Sequence, residues 1–320
     1  MRLIASLLLL FLAACTTLPP PDSAPVAERR IALTFDDIPR GRGAFLTDDE
    51  RTSRLIEGLK RANVPQAAFF LNPGNIPASP GAERRITAYV RAGHVIANHS
   101  NTHPHLNATS AEDYLANIDA AERWLKGRKG YRAWFRFPFL DEGQRDKAKR
   151  DAVRAGLDAR GLSNGYVTVD ASDWWLEQAA IDAKKAGQPI DMAAFRDLYI
   201  ESHVQAAAFN DGLAHKVLGR APAQVMLLHE TDIAALWIAD LVAALRADGW
   251  TIVSADEAFA DPISRLRPDV PSAQGTLTEA IAWEQGVPAP RWYERNDTRI
   301  YSRLFRERVV HLPPEEGPSK

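Results

Sequence analysis

The chain has 320 residues, is 46% hydrophobic and 25% charged, and carries a formal net charge of −2. That is an ordinary globular balance, with room for one large domain or two small ones. With a pI of about 6.5 it lacks the basic excess that a nucleic-acid surface needs, so no nucleic-acid partner is expected.

Met1-Arg2 is a short positive start, and residues 3–12 form an apolar run too short to span a membrane. Leu12-Ala13-Ala14 then sets small residues before the only cysteine, Cys15. This stretch resembles a bacterial lipoprotein signal. The resemblance implies a signal peptide over 1–14, cleavage before Cys15 and a lipid anchor on its thiol. Thr16, rather than Asp, after that cysteine implies the outer membrane of a cell envelope, facing the periplasm. An ordinary secretory signal with an incidental Cys15 is the alternative. Residues 15–29, rich in Pro, Ala and Ser, read as a tether. With Cys15 used as an anchor, the domain beyond has no disulfide and must be held by its core.

Residues 31–37 read as a buried strand ending in two acids, Asp36 and Asp37. Successive strand residues face opposite sides, so the two carboxylates are expected to diverge. Two close carboxylates repel, and a metal on one of them would relieve part of that cost. A loop follows with Pro39, Gly41 and Gly43, then a helix over 48–62 with Leu55, Ile56 and Leu59 at helical spacing and Thr47 or Asp48 as cap. Strands are predicted at 67–71, 94–99, 134–137, 165–169, 224–228 and 250–253. Helices are predicted at 81–92, 110–126, 146–155, 190–208 and 234–247. The alternation argues for a parallel sheet with helices outside. Each polar cluster follows a strand, as in α/β barrels, where the site is built from loops at the C-terminal strand ends. From Asp261 the chain turns proline-rich, with one helix over 277–285 and a basic, aromatic stretch at 301–310. This part, 261–320, reads as a C-terminal extension packed on the surface.

His99 and His103 stand four apart after a strand end. On a helical turn both rings would face one way, the ligand spacing for zinc or a similar ion. With Asp37 they would make a three-ligand site with open positions, the arrangement of catalytic metal.

Five motifs occur in one order: Thr34-Phe35-Asp36-Asp37, His99-Ser100-Asn101-Thr102-His103, Arg136-Phe137-Pro138-Phe139, Asp170-Ala171-Ser172-Asp173-Trp174 and Leu227-Leu228-His229. Together they resemble the motif set of the polysaccharide deacetylase family (NodB-like, carbohydrate esterase family 4), over roughly residues 30–260. The resemblance implies an α/β fold, a distorted (β/α) barrel of the NodB-homology type, as the catalytic domain. It implies a divalent metal on Asp37, His99 and His103: Zn2+ first, with Co2+, Ni2+ or Fe2+ as alternatives. Asp36 would be the general base, and Arg136 would pair with it. The backbone N–H of Phe139 would hold the oxyanion. His229 would protonate the leaving amine, kept charged and oriented by Asp173. Trp174 would wall the groove, with Trp175 a further candidate, and Leu227 or Leu228 would line a pocket for the acetyl methyl. The implied activity is a metal-dependent hydrolase removing N- or O-acetyl groups from an acetylated glycan of the cell envelope or another polysaccharide.

Three other readings remain in view. The same fold hosts hydrolases of non-sugar amides, and the insertion over 176–222 stands near the mouth. Two histidines and a carboxylate also make the facial triad of iron oxygenases. Asp36, His229 and the absence of a jelly-roll strand pattern argue against that one. An inactive, glycan-binding lipoprotein would keep the fold but is at odds with a complete motif set. The oligomeric state is not legible.

Overall fold

The computed structural model describes residues 28–312. The signal, Cys15 and the tether up to residue 27 lie outside the described residues. In chain order the elements are β1 (Arg29–Ile38), α1 (Asp48–Arg61), β2 (Ala68–Leu71), α2 (Ala82–Arg91), β3 (Val95–Asn98), α3 (Ala111–Leu125), β4 (Tyr131–Phe135), β5 (Asp141–Gln144), α4 (Lys147–Ala159) and β6 (Ser163–Asn164). They continue with α5 (Asp173–Lys185), α6 (Met192–Leu218), β7 (Gln224–His229), α7 (Asp232–Ala247), β8 (Trp250–Ile252), α8 (Ala255–Phe259), β9 (Ala273–Gln274), α9 (Leu277–Glu284) and α10 (Thr298–Arg308). No helix among the described residues is long and apolar enough to cross a membrane.

Everything is hung on β1. One edge pairs in parallel with β7 from Ile31↔Gln224 to Asp36↔His229. Thr34 also pairs with Ala68 of β2, and Ile31 also pairs with Ile252 of β8. A strand residue offers one edge to each neighbour, so β8 and β2 share the second edge of β1, one below the other. The sheet runs β6-β4-β3-β2-β1-β7, with β8 off that path. It curls until residues 163–169 reach β7: Val169 bridges Met226, and the Leu227 N–H donates to the Val169 carbonyl at 2.9 Å. This is the distorted (β/α) barrel that the family resemblance implies, and it agrees with the alternation of elements.

Local signals start and stop the helices. Thr47 and Glu50 form a reciprocal capping box at α1, each satisfying a backbone N–H that the helix start leaves unpaired. Ser110 caps α3 and Asp191 caps α6 in the same sense. Ile31, Leu33 and Phe35 face a core shared with Leu55 of α1, Tyr89 of α2 and Ile238 of α7. Ala32, Phe70, Ala97 and Val225 face the other way, into a core completed by Phe259, Leu277 and Ile281.

Two expectations change here. The strand predicted over 165–169 is displaced: the regular pairing lies earlier, at Ser163–Asn164, and within 165–169 only Val169 makes a bridge. Past Asn164, the Arg136 guanidinium takes the carbonyls of Gly165 and Tyr166, at 2.6 and 3.2 Å, in place of a regular strand ladder. The C-terminal extension, predicted to pack on the surface, is built into the interior. Leu277, Ile281 and Ala282 join the inner core, and Tyr301, Phe305 and Val309 join the outer one. The predicted insertion resolves into two helices, α5 and the 27-residue α6, which ends at left-handed Gly219.

Gly165 is required by the close approach of Phe70 and the β4 backbone. A Cβ there would meet Phe70 Cε1 at 2.6 Å and the Phe135 backbone carbon at 3.2 Å. Gly165→Ala should therefore cost about 1–3 kcal/mol by overpacking. Urea denaturation checks this, and an unchanged midpoint would refute it.

Candidate active site

The site lies at the C-terminal ends of β1, β3 and β7. Asp36 and His229 are register partners on adjacent strands, so the sheet itself sets the two side by side. Arg136 follows β4 and is 1% exposed. Its Nη1 donates to Asp36 Oδ1 at 2.7 Å and to Thr34 Oγ1 at 2.7 Å. Its guanidinium also lies 3.8 Å over the Phe70 ring. Burial draws the guanidinium below its ordinary value, and the Asp36 charge opposes that.

Asp37 does not diverge from Asp36 as ideal strand alternation predicts. Its φ is 68°, and the pairing of β1 with β2 shifts register between Phe35 and Ile38. This left-handed step turns Asp37 back toward the same mouth. His99 Nε2 consequently lies 3.7 Å from Asp36 Oδ2 and 3.5 Å from Asp37 Oδ1. Nor do His99 and His103 share a helical turn. They sit on a loop with left-handed Ser100 and His103 (φ 66° and 59°). The loop is held by Ser100 N–H to Asn98 Oδ1 at 2.7 Å and His103 N–H to Ser100 Oγ at 3.0 Å. The loop brings both rings to Asp37, as the spacing predicts, by a different backbone.

Asp37, His99 and His103 offer ligand atoms all within 4.8 Å of one another. Three features fit a divalent ion. Asp37 Oδ1 is buried without a hydrogen-bond partner, although it lies 3.1 Å from His103 Nε2. His99 Nδ1 is 2.9 Å from the Arg136 carbonyl. A carbonyl only accepts, so the proton sits on Nδ1 and the Nε2 lone pair faces Asp37. Burial lowers the His103 pKa, with Asp37 opposing, which favours the neutral, ligating imidazole. Burial also works against the Asp37 charge, but His103 and His99 hold its carboxyl well below the usual range.

A metal that binds only the folded chain should stabilise it by about 2.7 kcal/mol at a hundred times its dissociation constant. The melting temperature with Zn2+ and with chelator measures this. His103→Ala should remove most of the difference, and identical melts for the unaltered chain would rule the ion out.

Beside Asp36, on the neighbouring strand, His229 Nδ1 lies 2.7 Å from Asp173 Oδ1, and the His229 N–H donates to Asp173 Oδ2 at 2.9 Å. Asp173 opens α5 directly after left-handed Ser172. His229 Nε2 is 4.0 Å from Asp37 Oδ2. His229 lines a cavity of about 390 Å3 together with Asp36, Asp37, His99, His103, Phe139, Trp174 and Leu227, while Asp173 is fully buried behind it. Phe139 and Trp174 are 46% and 42% exposed at its rim. Phe139 stacks on His105 with centroids 3.5 Å apart, and its own φ of 58° and that of Leu140, 50°, make the turn beneath. Leu228 is not part of the lining. It is 0% exposed and packs in the outer core with Phe35, because adjacent strand residues point opposite ways. A larger cavity, about 520 Å3, lies elsewhere between α4 and residues 264–268. Its Arg154–Glu142 and Arg267–Asp158 pairs are mutually satisfied.

Arg40, Asp170 and Gln274 are among the lining residues that escape the sequence reading. Arg40 Nη1 donates to Asp37 Oδ2 at 2.6 Å. Its loop is pinned by Arg40 N–H to Glu230 and by Phe45 and Leu46 N–H to Asp232. Burial pushes Asp170 up to about 6, against the Ser172 N–H and with the Asp173 charge. Asp170 opens the fourth motif and could have been found there. His94 lies outside the cavity, accepting from the Ala67 N–H at 3.2 Å.

Residues 23–159 match the polysaccharide deacetylase family. The matched segment makes up 137 of the 320 residues. It carries Asp36, Asp37, His99, His103, Arg136 and Phe139 and stops before Asp173 and His229, which the barrel brings to the same mouth. The chain is similar to a peptidoglycan-N-acetylglucosamine deacetylase of Bacillus cereus, 36% identical over 109 residues, covering 34% of this chain and 35% of the relative. It is similar to a chitooligosaccharide deacetylase of Rhizobium leguminosarum bv. trifolii, 37% identical over 93 residues, covering 29% and 38%. A chitin deacetylase of Colletotrichum lindemuthianum is 26% identical over 241 residues, covering 72% of this chain and 79% of that one. The chain thus spans little more than a third of the length of the first two deacetylases.

Proposed function

We propose that the chain is a metal-dependent hydrolase that removes N-acetyl, or O-acetyl, groups from an acetylated glycan. One observation carries this reading: two proton-handling pairs, Asp36–Arg136 and His229–Asp173, both adjoin one Asp37/His99/His103 cluster. The names of the similar deacetylases support the substrate class.

Asp37, His99 and His103 would hold the divalent ion, with Zn2+ the first candidate and Co2+, Ni2+ or Fe2+ the alternatives. Such an ion, when bound, polarises the scissile carbonyl and acidifies water. Asp36 takes the proton from the attacking water. Arg136 fixes its rotamer and favours the charged form that accepts. His229 gives its proton to the departing amine nitrogen, oriented through Nδ1 by Asp173. The Phe139 N–H is the candidate donor to the tetrahedral oxygen. Trp174 and Leu227 wall the space for the acetyl group. The same reading keeps the lipid anchor on Cys15 and an envelope location, which radiolabelled fatty-acid incorporation would test.

The deciding experiment is acetate release from N-acetylglucosamine oligomers and from acetylated polysaccharides by the metal-loaded chain. Turnover of a small non-sugar amide with no acetate from any glycan would overturn the substrate class.

A further inference from the structure

The barrel is not the only source of the cavity wall. Gln274 lines the same cavity as Asp36, Asp37 and His229, yet it comes from the C-terminal extension, beyond the last barrel strand and outside all five motifs. We propose that Gln274 is a substrate-contacting residue, and that Asn296 and Tyr301 of the same extension are positioning residues for the Asp170–Trp174 loop. That the contacted substrate is an acetylated glycan rests on the deacetylase reading above.

Gln274 is held at the mouth by backbone. β9 pairs antiparallel with β5, Asp141↔Gln274 and Gln144↔Ala273, and the Gly275 N–H donates to the Leu140 carbonyl at 3.2 Å. Gly275 has φ +100°, and a Cβ there would meet Glu279 Oε2 at 2.5 Å, so this tight turn needs glycine. The pairing lashes Gln274 to the turn that carries Phe139. The side chain is exposed and makes no hydrogen bond among the described residues. An amide offers both a donor and an acceptor. In a cavity otherwise lined by carboxylates, imidazoles, an arginine and apolar groups, it is the neutral polar group. A sugar hydroxyl or acetamido group is the chemistry it fits.

The second loop is tied down by the same extension. Ser172 Oγ donates to Asn296 Oδ1 at 3.1 Å, and the Tyr301 hydroxyl donates to the Ala171 carbonyl. Tyr301 is fully buried and stacks on Trp175, centroids 5.9 Å apart at 9°. These contacts flank left-handed Ser172 (φ 50°), the residue whose turn aims Asp173 at His229.

The test uses the full chain with Zn2+ and an N-acetylglucosamine tetramer. Gln274→Ala should raise KM about tenfold, the scale of one lost hydrogen bond, with kcat within about twofold, the pattern of lost uniform binding. Metal affinity and melting temperature should not move, and Gln274→Asn should recover part of the loss. In an Asp36→Asn background, Gln274→Ala should weaken tetramer affinity by the same factor, read by calorimetry without turnover. Asn296→Ala and Tyr301→Phe should instead lower kcat several-fold at constant KM and metal affinity, and Asn296→Asp, which keeps an acceptor for Ser172, should restore it. Equal tetramer affinity with and without Gln274, or no tetramer binding by either chain, overturns the contact. Loss of melting temperature and metal affinity with no KM-against-kcat split in the Asn296 and Tyr301 variants overturns the positioning role. Failure of the unaltered chain to release acetate counts against the deacetylase reading, while the calorimetric comparison still decides the contact.

Discussion

Asp36→Asn should lower kcat about 10²–10⁴-fold, the scale of a general base, with the bound metal retained. The substitution removes the acceptor of the water proton but leaves Asp37, His99 and His103 untouched. Asn is the informative choice, because Arg136 is buried beneath it. Stripping one partner from a buried ion pair costs about 3–5 kcal/mol. The Asn amide keeps an acceptor for Arg136 Nη1, and Arg136 keeps Thr34 Oγ1 and the Gly165 and Tyr166 carbonyls. Asp36→Ala should therefore lose both activity and stability, whereas Asp36→Asn should lose mainly activity. Acetate release, metal content and melting temperature on the two variants separate these effects. An active Asp36→Asn with metal bound would remove Asp36 from the role of base.

Asp173→Asn should lower kcat at neutral pH by a comparable factor and move the alkaline limb of the pH–rate profile downward. Burial opposes the His229 charge, but Asp173, through its charge and hydrogen bond, and then Asp37 outweigh it and raise the His229 pKa above 6.5. Asp173 is shifted the other way: burial works against its charge, and His229 holds it below 3.8. An acid catalyst works below its own pKa, so the raised value extends activity toward high pH, and removing Asp173 leaves burial to pull it back. The sign for stability follows. The His229 contribution is fully present below 6.5 and fades as pH rises through the higher folded value. The Asp173 contribution is present above 3.8 and fades as pH falls through the lower folded value. Together they stabilise most between those two ordinary values. Asp173→Asn should flatten that maximum in urea denaturation across pH, and an unmoved pH–rate profile would sink the role of Asp173.

What could be read from the sequence alone was whatever repeats locally. Barrel strands buried on both sides read as apolar runs such as 67–71 and 224–228, and helices show their period and caps. Two carboxylates at one strand end are costly unless used, which marks Asp36 and Asp37; spacing marks His99 and His103; Arg136, Asp173 and His229 are what the family resemblance implies. All seven meet at one mouth. Tertiary structure alone decided the rest. Which way Asp37 faces depends on a left-handed step at a register shift, which strand periodicity does not encode. Whether Leu227 or Leu228 lines the cavity depends on the register of β7 against β1. Regular pairing stops before Gly165, where the Arg136 guanidinium, just past the end of the neighbouring strand, takes the Gly165 and Tyr166 carbonyls. The extension past Asp261 enters the core through pairings with β5 and contacts to Ala171 and Ser172, more than a hundred residues back in the chain. Local pattern specifies period and face; long-range hydrogen bonding and packing specify direction and company, and those placed Arg40, Asp170 and Gln274 in the wall of the site.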